Sequence, residues 1–210
     1  MISTTPTEGK TAAAAKRSAK LTPVMLNHAA WVTHDVEATA DFFMRIMGME
    51  LASTVYDDRV PSTGDDFPYF HIFFRMQDGS TIAFFECIGL PERPEASHAA
   101  YTVFDHIALE AKDRDEVDQW AEWLKENGID IVGPVDHKGL IYSIYFFDPN
   151  GIRMEITTPL DADWNRHTEQ GLADLRAWIS TKNEAAANNA DVGEALLRLI
   201  RGQRKRYDKA

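Results

Sequence analysis

Apolar positions from residue 26 onward form short strand-like runs and longer helical stripes, in an order that occurs twice. In the first round, the helical stripe contains Phe42, Phe43 and Ile46 and ends at Gly48, a residue typical of helix C-termini. The elements expected in this round are a strand at 26–32, a helix at 36–47 and strands at 50–56, 69–76 and 81–87. The pattern therefore predicts a βαβββ unit over about residues 24–90.

The second round follows the same order over residues 102–159. Its helix is expected to begin after Asp113, because Glu116 three residues later completes a capping-box pattern, and to end at Gly128. The strands of this round are expected at 104–110, 129–132, 141–147 and 153–157. Since His28 and His106 open the two rounds and lie 78 residues apart, the sequence indicates an internal repeat.

The two ends of the chain differ from this repeat. Residues 1–22 contain few large apolar side chains, which favours a flexible N-terminal arm. Residues 160–210 are helical in pattern and form a C-terminal extension, in which Leu172, Leu175, Trp178 and Ile179 share one stripe. That stripe is expected to pack on the domain or on a partner helix, so a homodimer is predicted.

Composition and charge limit the kinds of molecule that the protein is expected to bind. The chain carries 22 Lys and Arg against 33 Asp and Glu, and its net charge of −11 disfavours binding to nucleic acid. No apolar run is long enough to cross a bilayer, so no membrane contact is expected. A single cysteine, Cys87, excludes an internal disulfide and favours a cytoplasmic location. The expected partner is a small-molecule substrate.

Histidine and glutamate residues at the ends of the two units suggest a metal centre. His28 and Glu86 open and close the first unit, as His106 and Glu155 do the second. The repeat predicts equivalent positions for the two pairs around one centre. Imidazole with carboxylate suits a borderline divalent metal, namely Fe(II), Mn(II), Ni(II), Co(II) or Zn(II). A carboxylate within an apolar strand also needs a cationic partner, because burying an unpaired charge is costly.

This duplicated βαβββ unit with His and Glu at these places resembles the vicinal oxygen chelate superfamily, over about residues 24–159. That superfamily includes glyoxalase I, extradiol ring-cleavage dioxygenases and bleomycin-resistance proteins. The resemblance implies an α+β fold in which two βαβββ units form a curved mixed sheet around a metal-binding cup. In such proteins the metal binds two adjacent substrate oxygens, within one chain or across a dimer.

One segment resembles the extradiol dioxygenase signature. It contains His137, Tyr145, the turn Asp148-Pro149-Asn150-Gly151 and Glu155, with compatible spacing. The resemblance implies that His28, His106 and Glu155 bind Fe(II) and leave three positions open for a catechol-like substrate and O₂. It also implies that Tyr145 donates a hydrogen bond to a substrate oxygen and that His137 acts as a nearby acid or orienting residue. The predicted function is accordingly a metal-dependent dioxygenase.

Two alternatives remain open at this point. Glu86 is a fourth ligand or a carboxylate base if the chain is a redox-neutral lyase, isomerase or epimerase of glyoxalase type, using Mn(II), Ni(II), Co(II) or Zn(II). The glutathione-binding residues of glyoxalase I are replaced by Val32 and Leu90, which counts against a glutathione substrate. A non-catalytic small-molecule-binding protein is the other alternative. His71 and Phe73 are expected to line the substrate pocket. If the chain is an extradiol dioxygenase, His71 is also expected to substitute for the acid–base histidine that such enzymes carry near the end of the first unit and that this sequence lacks.

Overall fold

The computed structural model describes residues 22–91 and 94–207 of the 210-residue chain, so the predicted arm lies, but for its last residue, outside the described part. Eight strands and five helices make up this part, together with a π-helical turn at Phe42–Ile46. The strands are β1 (His28–Thr33), β2 (Glu50–Asp57), β3 (Tyr69–Arg75), β4 (Thr81–Cys87), β5 (Ile107–Glu110), β6 (Val132–Asp136), β7 (Ile141–Phe147) and β8 (Arg153–Pro159). The helices are α1 (Val36–Asp41), α2 (Ala99–Phe104), α3 (Arg114–Glu126), α4 (Thr168–Ala187) and α5 (Val192–Tyr207).

The strands form two four-stranded mixed sheets with the same topology. Sheet order is β1-β4-β3-β2 in unit 1 (residues 28–87) and β5-β8-β7-β6 in unit 2 (residues 107–159). In each unit the first strand pairs in parallel with the last, and the other neighbours are antiparallel. The predicted α+β fold of two βαβββ units followed by a helical extension is confirmed.

One face of each sheet packs against helices. In unit 2, Val117, Ala121 and Leu124 of α3 are buried in the same core cluster as Ile144 of β7 and Ile156 of β8. Side chains alternate along a strand, so the neighbours of these core residues lie on the opposite face. We call this opposite face, in either unit, the open face.

The two units contact each other on the helix side of both sheets. Phe42 of unit 1 lies 6.4 Å from Phe146 of unit 2 between ring centroids. The indole Nε1 of Trp123 donates a 2.8 Å hydrogen bond to the carbonyl of Ile46, and the Asn150 amide donates to the Thr39 hydroxyl at 3.2 Å. A single hydrophobic core therefore extends through both units.

Several element bounds differ from the expected ones. The helix expected at 36–47 is α1 followed by the π-helical turn, and Phe104 ends helix α2 rather than beginning a strand. Strand β6 lies at Val132–Asp136 and not at 129–132. The sequence Gly133-Pro134 falls at a register shift between β6 and β7, and a Cβ on Gly133 would lie 2.8 Å from the Ser143 carbonyl oxygen. Glycine at this position thus permits the close approach of the two strands.

The extension folds as a helical hairpin of α4 and α5, which pack on each other. Within the extension predicted over residues 160–210, helix α4 begins at Thr168. Its predicted apolar stripe remains partly exposed: Leu172, Leu175, Trp178 and Ile179 are 40–53% exposed. None of the helices within the described ranges has the length and apolarity needed to cross a membrane.

Candidate metal and substrate site

Unit 2 gathers four of the predicted site residues on its open face. Glu155 of β8 lies beside Tyr145 of β7 and Ala108 of β5 in the strand register, and its side chain is 3% exposed. Its Oε2 atom lies 2.8 Å from Nε2 of His106, which precedes β5. The Tyr145 hydroxyl lies 3.2 Å from Glu155 Oε1 and 2.8 Å from His137 Nε2. The structure therefore brings together His106, Glu155, Tyr145 and His137.

The hydrogen bonds of His106 determine which ring nitrogen faces the carboxylate. Its Nδ1 lies 2.7 Å from the Phe104 carbonyl, which can only accept, so Nδ1 carries a proton. In the neutral ring, Nε2 then presents a lone pair to Glu155. Two acceptors 2.8 Å apart need a proton or a cation between them. A backbone carbonyl on the other ring nitrogen is the usual arrangement of a metal-binding histidine.

His28 of unit 1 is oriented in the same way by a different group. Its Nδ1 lies 2.7 Å from the side-chain oxygen of Asn27, and the residue is exposed at the start of β1. Asn27 was not singled out in the sequence, although it directly precedes the candidate ligand. In both units, therefore, the first histidine has its Nδ1 atom engaged and its Nε2 atom available as a ligand.

Tyr145 is set up as a proton donor. Burial raises the pKa of its phenol, and the negative charge of Glu155 raises it further, so the hydroxyl is protonated at neutral pH. A phenol has one proton, and donating it to Glu155 requires that His137 donate to the hydroxyl through Nε2. Arg153, which sequence reasoning missed, lies over the Tyr145 ring at 4.0 Å.

Next to His28, the open face of unit 1 is mainly aromatic. The His71 ring stacks on Phe85 at 3.5 Å and lies 4.0 Å from Phe73, and Phe73 lies 5.7 Å from His28. His71 is 8% exposed, and its buried Nε2 atom has no hydrogen-bond partner. Burial, with a smaller contribution from His28, lowers the pKa of His71 to about 4, so the ring is neutral at pH 7.

The structure corrects the expected equivalence of Glu86 and Glu155. His28 pairs with Thr81 on β4, and Glu86 pairs with Thr33 at the far end of the strand. Because Glu86 is five residues from Thr81, its side chain lies on the face opposite His28, where Oε1 accepts a 3.3 Å hydrogen bond from Val36 N–H.

Ala83 occupies the position in unit 1 that Glu155 occupies in unit 2. Ala83 pairs with Ala30 and Phe73, as Glu155 pairs with Ala108 and Tyr145. Ala83 and Glu155 each lie four residues after a turn glycine, Gly79 and Gly151 respectively. Aligning the last strands of the two units on these glycines would therefore have matched Ala83, and not Glu86, with Glu155. Glu86 is thus not placed as a fourth ligand beside His28.

The donor set of unit 2 suits a divalent metal, but it has only two members among the residues that the structure describes. Across residues 22–91 and 94–207, no group of three or more His, Cys, Asp or Glu side chains could hold a metal ion. Unit 2 supplies a buried carboxylate, Glu155, and a partly exposed imidazole, His106, while His28 lies on the other sheet. A borderline cation such as Fe(II) suits an imidazole and a carboxylate as ligands.

Comparison with known proteins agrees with this architecture. A glyoxylase/bleomycin resistance protein/dioxygenase domain from Frankia sp. EAN1pec has a similar fold, with a TM-score of 0.52, 14% identity and coverage of 66% of this chain and 99% of that one. A glyoxalase/dioxygenase from Nostoc punctiforme gives a TM-score of 0.49 with 25% identity, covering 69% and 99%.

A sequence relative adds a shorter match. The metallothiol transferase FosB of Staphylococcus epidermidis (strain ATCC 12228 / FDA PCI 1200) is 41% identical over 68 residues, 31% of this chain and 44% of the transferase. The match thus spans less than half of that protein. Residues 25–156 match the model of one family over most of the two units. The chain therefore belongs to the Glyoxalase/Bleomycin resistance protein/Dioxygenase superfamily.

Proposed function

We propose that the protein is a metal-dependent ring-cleavage dioxygenase of extradiol type, acting on a catechol-like or other vicinal-oxygen substrate. The observation that supports this function best is the Tyr145 hydroxyl, which lies within hydrogen-bond distance of both His137 and Glu155. These three residues also match the extradiol signature in the sequence. A buried phenol beside a carboxylate ligand is suited to recognise an oxygen of a chelated diol.

In this proposal His28, His106 and Glu155 hold Fe(II), which would supply Lewis acidity and open positions for substrate oxygens and O₂. The 2.7 Å contacts of His28 with Asn27 and of His106 with Phe104 keep both rings oriented for binding through Nε2. The proposed site has three protein ligands and no fourth, because the side chain of Glu86 lies on the face of the sheet opposite His28.

The chain's own residues provide proton control near the metal. Tyr145, with its raised pKa, donates a hydrogen bond to a substrate oxygen lying beside Glu155. His137, at 2.8 Å, returns a proton to the phenol after transfer. The aromatic face of Phe73 next to His28 favours an aromatic ring in the cup and excludes water from it.

Oxygen uptake by the Fe(II)-loaded protein over a panel of catechols and hydroquinols tests this function. Tyr145→Phe is expected to lower kcat roughly 100-fold or more, within the range typical of acid–base groups. Tyr142→Phe is the matched control, because the Tyr142 hydroxyl bonds to Asp118 of α3 on the helix side. The function is wrong if Fe(II) binds and no compound of the panel consumes oxygen. Full activity in both variants would overturn the role of Tyr145 and leave the function standing.

We also propose that a second copy of the chain contributes His28. The predicted homodimer would place the open face of unit 1 of one chain against unit 2 of the other and so complete the three ligands. Mixing chains carrying His28→Ala with chains carrying Glu155→Gln tests this arrangement. A heterodimer with shared sites has one intact site, so about a quarter of wild-type activity should return. No return of activity would place the ligands within one chain.

The identity to the metallothiol transferase FosB favours a redox-neutral reaction as the second candidate. The same imidazole and carboxylate ligands with Mn(II), Ni(II), Co(II) or Zn(II) would activate an electrophilic substrate for lyase, isomerase or thiol-transfer chemistry. Consumption of a thiol without oxygen uptake, measured on the same preparation loaded with each metal, would support this candidate over the dioxygenase.

A further inference from the structure

A cleft lies between the β6–β7 turn and the beginning of the C-terminal extension. Its volume of about 750 Å³ is in the range of small-molecule sites. Unit 2 and the extension both contribute to its walls: His137, Lys138, Gly139 and Leu140 on one side, and Asp161, Trp164, Asn165, His167, Thr168, Gln170, Gly171 and Asp174 on the other. The second wall lies beyond residue 156, where the match to the superfamily ends.

Hydrogen bonds hold the two walls together. The Leu140 carbonyl accepts from the backbone N–H groups of Leu160 and Asp161, at 2.9 and 3.3 Å. His167, which precedes α4, lies 2.7 Å from the Asp161 carboxylate through Nε2. The segment leading into α4 is therefore anchored to the β6–β7 turn, and the cleft is a built feature of the chain.

His137 connects this cleft to the candidate metal site. His137 is one of the residues that line the cleft, and its Nε2 atom lies 2.8 Å from the Tyr145 hydroxyl. A substrate whose two oxygens lie near Tyr145 and Glu155 can thus extend a substituent past His137 into the cleft. The cleft is the part of the molecule in which that substituent would be recognised.

The lining indicates the chemistry of the substituent. Trp164, which is 41% exposed, and Leu140 offer apolar surface, and Asn165 offers an amide. The Asp161 carboxylate is paired with His167, and Asp174 accepts from the Gln170 amide at 3.0 Å. Because Lys138 lines the cleft together with Asp161 and Asp174, its charged groups include both signs, whereas the exposed indole of Trp164 favours an uncharged ring.

We propose that this cleft is a specificity subsite that accepts an uncharged aromatic substituent of the substrate, with Trp164 as its main contact. The proposal rests on the proposed dioxygenase function, since it locates the part of a catechol-like substrate that does not react. It assigns to the extension a role in choosing the substrate.

Two catechols and two tryptophan variants test the subsite. For phenyl-substituted catechol, Trp164→Ala is expected to lower kcat/KM about tenfold, the loss of one well-packed aromatic contact, and to leave unsubstituted catechol unaffected. Trp178→Ala is the matched control, because Trp178 is 40% exposed on α4 and does not line the cleft. Anaerobic calorimetry on Fe(II)-loaded protein gives a second readout, a Kd about tenfold weaker for the phenyl compound alone.

The possible outcomes separate the subsite from the function. Selective loss with Trp164→Ala and none with Trp178→Ala supports the subsite. Turnover of both catechols with unchanged discrimination in Trp164→Ala overturns the subsite and leaves the dioxygenase standing. Turnover of unsubstituted catechol alone overturns the subsite and leaves the dioxygenase standing. Failure of both catechols to bind or react overturns the subsite and the dioxygenase function together.

Discussion

Units 1 and 2 have the same strand order, yet their open faces differ in chemistry. Where unit 2 has Glu155 and Tyr145, unit 1 has Ala83 and Phe73 in the same register. The two open faces share the first histidine, whose ring is held in each unit by a hydrogen bond at Nδ1. The buried carboxylate of unit 2 accepts a hydrogen bond from Tyr145 and faces His106, whereas Ala83 of unit 1 lies beside Ala30 and Phe73. A duplicated scaffold can thus keep its core while one copy alone carries a buried carboxylate.

The largest expected effect comes from giving unit 1 the carboxylate of unit 2. Ala83 is fully buried next to Phe73, so Ala83→Glu would place a carboxylate on the face of His28 but beside Phe73, where unit 2 has the hydrogen-bond donor Tyr145, and is expected to destabilise the protein by roughly 3–5 kcal/mol. Urea unfolding at pH 7 measures the loss. Ala83→Gln has a similar volume without the charge, and an equal loss in both variants would show that packing rather than charge is responsible.

The second-largest expected effect is on the affinity of the protein for Fe(II). Glu155→Gln is expected to weaken Fe(II) binding about 100-fold, because the amide cannot supply the anionic oxygen that faces His106. Glu86→Gln serves as the control and should bind metal as the wild type does, since Glu86 lies on the helix side. Anaerobic calorimetry gives both affinities. Equal weakening in the two variants would contradict the assignment of the faces.

A smaller expected effect is the pH dependence that His71 confers on the free energy of unfolding. Its pKa of about 4, against an ordinary 6.5, means that the folded protein favours the neutral ring. The unfolded chain binds more protons between these values, so the stabilising contribution is present above pH 6.5 and is lost as pH falls towards 4. In metal-free protein, His71→Phe should therefore lose less stability than the wild type between pH 7 and pH 5 in urea unfolding. Parallel losses would show that another group titrates.

The smallest expected change in the free energy of unfolding comes from a hydrogen bond between the two units. Asn150 donates to Thr39 of α1, and Thr39 is hydrogen-bonded in turn to Thr33 at 2.8 Å. Asn150→Ala should cost about 1 kcal/mol of unfolding free energy. A double-mutant cycle with Thr39→Val isolates the bond between the units. A coupling energy of zero would show that this bond does not contribute to the packing of the two units.

Periodicity and capping residues were sufficient to predict most of the fold. Asp113, for example, accepts from Glu116 N–H at the start of α3, as the capping pattern indicates. Helix α2 was missed because its six residues have no amphipathic stripe. Strand β6 was misplaced because Gly133-Pro134 reads as an end of structure, although the strand continues through it at a register shift.

The grouping of the candidate site residues could be predicted from the sequence where these residues lie on neighbouring strands of one hairpin. His137, Tyr145 and Glu155 lie on one hairpin and the loop beside it, so their separation in the chain determines their separation in space. Glu86 was misaligned because it was matched by its place at the end of a strand, and side-chain direction depends on the parity of the count. The contribution of the extension to a cleft depends on long-range packing, which no local pattern encodes.

The separation of His28 from His106 and Glu155 on different sheets has a consequence for assays of this protein. If two copies share the ligands, metal uptake is coupled to association by mass action, and specific activity depends on protein concentration. Dilution below the dissociation constant of the pair would then release the metal from chains that remain folded. Catalytic output would follow the square of the chain concentration in that range, and enzyme abundance itself would set a threshold for turnover.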